Sequence, residues 1–260
     1  MRNGRVRIFL LRRRAVAAVG ALVLAGAIFW AVSYPAGTPA SAAQRQLPIY
    51  SVEREQKMCS VSFDAAWGNE DTQALIDILA RYNVKATFFC VGDWAEKYPE
   101  SVKALHDAGH EVMSHSNHHD HYNSLSAEQI TADITASNER ISAVTGVTPT
   151  LIRCPYGEYD DHVIAAIRAM GMEPIQWDVD SLDWKDYDAD TICKRVTSKV
   201  QPGSIVLFHN AALHTPEALP SVLEHMIREG YTVVPIGQLI YWENYTIDHT
   251  GRQFPAETAQ

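Results

Sequence analysis

With 260 residues, 47% apolar content and 20% charged residues, the chain has material for one large or two small domains with a buried core, which excludes a disordered or fibrous protein. The formal net charge is −9, but six arginines (Arg2, Arg5, Arg7, Arg12, Arg13 and Arg14) lie in the first fourteen positions. Without them 16 basic residues face 31 acidic ones, a net of −15, a surface that repels nucleic acid and anionic headgroups, so no nucleic-acid partner is expected.

In chain order, the basic segment 1–14 is followed by Ala15 to Tyr34, twenty residues without a charge, long enough to cross a bilayer as a helix. Positive charge ahead of the apolar run predicts a single-pass anchor with everything after Tyr34 outside the cytoplasm. Ala40-Ser41-Ala42 offers an A-x-A site, and cleavage there would give a secreted chain instead. Residues 35–50 read as a linker, 51–245 as the functional domain and 246–260 as a polar tail that covers an edge or is loose.

Within the domain, short apolar runs rich in β-formers recur at Met58–Phe63, Ala86–Val91, Glu111–Ser114, Leu151–Arg153, Pro174–Asp178, Ser204–Phe208 and Thr232–Val234. Between most of them lie amphipathic segments of helical period: Asp71–Tyr82, Glu100–Ala108, Ala127–Val144, Asp161–Met170, Ala189–Val200 and Glu217–Glu229. Ser126 with Gln129 forms a start signal, and Gly109, Gly146, Gly171 and Gly230 are stops. Strands alternating with helices predict an α/β fold of parallel βα units. About seven units in roughly 200 residues fit a distorted (β/α)7 barrel better than an open doubly wound sheet, and either fold puts its chemistry at the carboxyl ends of the strands. Asp64, His115, Arg153, Asp178 and His209 each stand at the end of a different run, so all five are expected on one rim. Cys59, Cys90, Cys154 and Cys193 are widely spaced with no CxxC pair and are expected as thiols.

Six of the eleven histidines fall between His106 and His121. His115 and His119, four residues apart, suit a shared divalent cation, most plausibly zinc, whereas His118 and His121 read as solvated. Together with Ser62-Phe63-Asp64, Arg153-Cys154-Pro155-Tyr156-Gly157, Asp180-Ser181-Leu182-Asp183-Trp184 and Leu207-Phe208-His209, this order of motifs resembles the polysaccharide deacetylases (NodB homology, carbohydrate esterase family 4) from about Lys57 to Gly237. Trp67-Gly68 after the first aspartate is similar to the membrane-anchored subgroup of spore-forming bacteria.

The resemblance implies metal-assisted hydrolysis of N-acetyl groups on a cell-wall glycan, peptidoglycan above all, with sporulation as one setting. By it, His115 and His119 hold the cation, Asp64 is the general base and Arg153 orients it. Tyr156 offers its backbone N–H to the oxyanion. His209 is the general acid, kept charged by Asp183, although Asp180 stands close enough to compete for that place. Trp184 and Leu207 wall the pocket for the acetyl methyl. The chain departs from the family at Ala65, where most members carry the third metal ligand. Three outcomes are open at this point: Asp64 moves into the ligand role, another acid (Glu70, Asp71 or Asp180) supplies the bond, or metal and activity are lost and the chain binds glycan without cleaving it.

Overall fold

The computed structural model describes residues 45–256; the basic segment, the expected anchor and most of the expected linker lie outside the described residues. Seven strands form one parallel sheet in the order β6 (Glu173–Pro174), β5 (Leu151–Ile152), β4 (Glu111–Ser114), β3 (Thr87–Cys90), β2 (Met58–Ala65), β8 (Ile205–His209), β7 (Val179–Asp180), and β9 (Thr232–Val233) also pairs with β2. The first and last long strands are thus neighbours, as in a barrel, while β6 and β7 leave a seam. The expected (β/α)7 barrel is therefore present in a distorted, incompletely closed form.

The strand sequences explain this arrangement. β2 is buried along almost its whole length, as a strand covered on both faces must be. Its odd residues Val61, Phe63 and Ala65 join the core cluster with Leu75 and Leu79 of α1 (Thr72–Arg81). Ser62 and Asp64 lie on the other face, where both bond Arg153. A second cluster, including Phe89, Met113, Leu151, Ile175 and Ile205, gathers one apolar residue from each of several strands. It forms the packed floor of the barrel interior.

The run expected as a single strand at Pro174–Asp178 behaves differently. Glu173–Pro174 pairs with β5 and Val179–Asp180 pairs with β8, so the residues between them cross the seam from one edge of the sheet to the other. Asp178 consequently does not reach the rim: its carboxylate accepts from Ser204 Oγ and Ile205 N, each at 2.8 Å, near the start of β8. Of the five residues expected on one rim, Asp178 is the one misplaced.

One further expectation is corrected at the start of the domain. Ile49, expected in the linker, is fully buried and makes a parallel bridge to Ile175, while Ser51 makes an antiparallel bridge to Ser204. The chain entering the domain thereby helps close the seam. In the tail, β10 (Tyr245–Ile247) and β11 (Arg252–Pro255) are antiparallel, and β11 pairs with β1 (Ser51–Val52), so the described part of the tail covers an edge, one of the two expected alternatives. All four cysteines are free thiols.

Candidate active site

A cleft of about 480 Å³ opens at the carboxyl ends of the strands, lined among others by Asp64, His115, His119, Tyr156, Trp184, Leu207 and His209. Asp64 closes β2. Its Oδ1 accepts from Arg153 Nη1 at 2.7 Å and its Oδ2 stands 3.5 Å from His115 Nε2. Arg153 follows β5 and is fully buried; its Nη2 also donates to Ser62 Oγ at 2.9 Å and to Gln176 O at 3.1 Å, and its guanidinium lies 4.3 Å above the Phe89 ring. Burial alone would raise the Asp64 pKa, but Arg153, with His115 and His209, outweighs it and holds the carboxyl below its ordinary range.

His115 follows β4 and is buried. Its Nδ1 donates to Arg153 O at 2.7 Å, which leaves the Nε2 lone pair turned toward Asp64. The His119 ring meets it edge-on at 4.9 Å between centroids. Burial pushes the His115 imidazole down and takes His119 to about 4, so both are neutral, the form that binds metals. The loop carrying them is fixed from two sides. Gly92 N and Asp93 N, at the start of α2 (Gly92–Lys97), donate to Ser116 O and Asn117 O at 2.9 Å. Asp133 Oδ1, from α3 (Ala127–Thr145), accepts from Asn117 N at 2.8 Å and Tyr122 OH at 2.6 Å. A Cβ at Gly92 would come within 2.2 Å of Asn117 Oδ1, so this close approach needs glycine.

The second half of the cleft comes from β8 and the turn after β7. Asp183 is fully buried; its Oδ1 accepts from His209 Nδ1 at 2.8 Å and its Oδ2 from His209 N at 2.8 Å and Thr215 Oγ1 at 2.6 Å. This settles the competition with Asp180, which instead accepts from Leu182 N at 2.8 Å and lines the cleft. Burial would lower the His209 pKa, but Asp183 more than offsets it and the net direction is upward. Leu207 is buried one turn of the pleat below His209, and Trp184 is 55% exposed at the mouth. Tyr156 sits at φ +59°, a left-handed conformation that costs a non-glycine residue on the order of 1 kcal/mol. Its ring is braced between His119 (4.5 Å, edge-on) and His121 (4.2 Å, stacked).

His118 points away to Asp93 and is exposed, as expected. Sequence reasoning did not place Trp67 or Trp177 in the cleft, yet both line it. Trp177 belongs to the seam-crossing segment, which the strand reading concealed. Trp67 was legible only as a motif residue, because the segment after β2 carries no periodicity that aims its side chain.

The donors suit a divalent cation. The His115 Nδ1–H bond to a backbone carbonyl is the usual outer-shell support for a ligating imidazole, and it leaves Nε2 free on the side where the His119 ring meets it. Among the described residues no three His, Cys, Asp or Glu side chains stand ready-made as a metal centre. Ala65, where a further carboxylate was looked for, is fully buried in the apolar cluster with Phe63 and Cys90.

The family model for polysaccharide deacetylases matches residues 51–175. The solved structure of the Bacillus subtilis peptidoglycan deacetylase PdaC is 31% identical, with a TM-score of 0.66, covering 72% of this chain and 92% of that one. The chain belongs to the polysaccharide deacetylase family. Among other similar polysaccharide deacetylases, a Bacillus anthracis member described as a carbohydrate esterase family 4 pseudoenzyme is 34% identical with a TM-score of 0.71, covering 74% of this chain and 68% of that one. The Listeria monocytogenes peptidoglycan-N-acetylglucosamine deacetylase PgdA is 32% identical over 209 residues, 80% of this chain and 43% of that protein. The chain spans 40–60% of the length of the first curated relatives it matches.

Proposed function

We propose that this polysaccharide deacetylase hydrolyses N-acetyl groups on a cell-wall glycan of the peptidoglycan type. The observation that carries the reading is the convergence of two complete pairs, Asp64 with Arg153 and His209 with Asp183, on one cleft with the His115–His119 pair. His115 and His119 would hold a divalent cation, which when bound would supply Lewis acidity for the amide carbonyl and a lowered pKa for water. Asp64 Oδ1 is committed to Arg153, so proton acceptance from the attacking water falls to Oδ2, which faces the imidazole pair. The Tyr156 backbone N–H donates to the developing oxyanion. Because His209 Nδ1 is taken by Asp183, Nε2 delivers the proton to the departing amine. The C–O bond forms first, giving the tetrahedral oxyanion, and the C–N bond then breaks as the nitrogen takes the proton from His209, leaving acetate and a free amino sugar. Leu207 and Trp184 enclose the acetyl methyl.

The test is acetate release from peptidoglycan fragments and chito-oligosaccharides with zinc supplied, compared with Asp64→Asn. Activity indistinguishable from that variant sinks the reading. A second reading is favoured by Ala65 and by the similarity to a family member described as a pseudoenzyme: a glycan-binding protein without turnover. It predicts glycan binding unchanged by chelation and by His209→Ala, and no stoichiometric metal lost on His115→Ala.

The charge-free run Ala15–Tyr34 supports an anchor that leaves the domain outside the cytoplasm; among the described residues no helix is long and apolar enough to cross a membrane. Protease accessibility of the domain in intact cells, with and without Ala42 substituted, distinguishes anchored, released and internal chains.

A further inference from the structure

Three large aromatic side chains stand exposed around the cleft mouth: Trp67 at 59%, Tyr156 at 57% and Trp184 at 55%. Exposed aromatic surface gathered at one opening marks a place where a ligand is received. One face of the Tyr156 ring is already stacked on His121 at 4.2 Å, and His119 meets the ring edge-on at 4.5 Å. Trp67 stands differently. Its ring centroid lies 5.9 Å from His119 and 6.5 Å from His209, tilted by 57° and 50°, so it spans the distance between the cation-binding side of the cleft and the proton-donating side.

The backbone on either side of Trp67 is held by one buried amide side chain. Asn210, next to His209 and only 3% exposed, donates its own N–H to Asp64 O at 3.0 Å; its Oδ1 accepts from Ala66 N at 3.1 Å, and its Nδ2 donates to Gly68 O. Gly68 O also accepts from Trp94 Nε1 at 2.9 Å. Every hydrogen-bonding group of Asn210 used here acts on the residues flanking Trp67 or on Asp64. A buried polar side chain satisfied in this way specifies one position for the segment it grips. The backbone carrying the indole is therefore fixed while the ring remains open to water, an arrangement that contributes nothing to the core.

We propose that Trp67 is the specificity residue that receives the N-acetylhexosamine ring, its indole face stacking on the apolar C–H face of the sugar, and that Asn210 is its positioning residue. An amphipathic ring with a broad apolar face suits a neutral pyranose, and its place between His119 and His209 sets the acetamido group over the reacting side chains. The sugar class rests on the deacetylase reading above; the stacking role does not require turnover.

Calorimetric titration of the full chain with chitotetraose tests it, on the wild type, Trp67→Ala, Trp67→Phe and the remote exposed control Trp242→Ala. Trp67→Ala is expected to weaken binding roughly tenfold, Trp67→Phe by no more than about threefold, and Trp242→Ala not at all. Where acetate is released, KM follows the same order while kcat stays within about threefold. Unchanged affinity in Trp67→Ala, a fall confined to kcat, or no binding by the wild type overturns the proposal. Trp67-dependent binding without acetate release keeps it and overturns the deacetylase reading; acetate release with a KM indifferent to Trp67 does the reverse.

Discussion

Arg153 carries a full charge at zero exposure, and the molecule tolerates it because Asp64 lies 2.7 Å from Nη1 and Ser62 Oγ and Gln176 O accept from Nη2, although its buried Nε has no partner among the described residues. Removing one partner of such a pair strands the other in a poor solvent, at a cost of about 3–5 kcal/mol. Arg153→Met is therefore expected to lose that much in urea unfolding, with a smaller loss when combined with Asp64→Asn, because the double variant leaves no orphan charge. The His209–Asp183 pair makes a different prediction. The folded-state pKa of His209 is raised because Asp183 outweighs burial. In its proposed role of general acid His209 works only while protonated, so the rate should fall as pH rises through that pKa. Asp183→Asn removes the stabilising charge, and the alkaline limb of the kcat/KM profile should move to lower pH, with the imidazole titration in the NMR spectrum moving the same way. An unmoved limb would assign it to another group.

The elements decide how firmly those residues are aimed. The segment from His115 to His119 has no regular structure of its own and two of its residues, Ser116 and His119, adopt positive φ. Such a loop holds one shape only if its neighbours over-determine it. Asp133 does so from the middle of a 19-residue helix that begins with a capping box at Ser126 and Gln129 and ends on Gly146 in the left-handed conformation. Asp133→Ala is expected to cost about 1–2 kcal/mol of stability. It should also weaken zinc binding by roughly 10–100-fold, the usual effect of losing an outer-shell support. Zinc calorimetry on the purified protein separates the two. The helix signals were legible because caps and period are local chemistry. The strand reading of Pro174–Asp178 failed because an apolar run carries no mark of which neighbour each half will pair with, and here the halves pair with opposite edges of the sheet.

At the scale of the whole molecule, the barrel depends on segments remote in sequence to close its seam. Ile49 is packed with Leu151, Ile175 and Ile205 and bridges Ile175, while β11 pairs with β1 just after it. Ile49→Ala is expected to cost about 2–4 kcal/mol, the range for a truncated core aliphatic, and to be felt at Trp177, two residues beyond the bridge, as a change in tryptophan fluorescence. A cleft that keeps its emission and its glycan affinity after that substitution would show the seam to be independent of the site.

The sequence by itself determined the parallel βα architecture, the place of the chemistry at strand ends, and the residue types gathered there, because hydrophobic period, caps and motif spacing are properties of neighbouring residues. It also marked Ala65 as the departure. Only the tertiary structure decided that Asp183 and not Asp180 faces His209, that Asp178 turns into the seam, that Ile49, β10 and β11 belong to the fold, and that Trp67 stands between His119 and His209. Each of these is a contact across many residues of chain, settled by which apolar surfaces and hydrogen-bonding groups remain unfilled once the sheet has formed. That requirement is felt only when all the strands are present together.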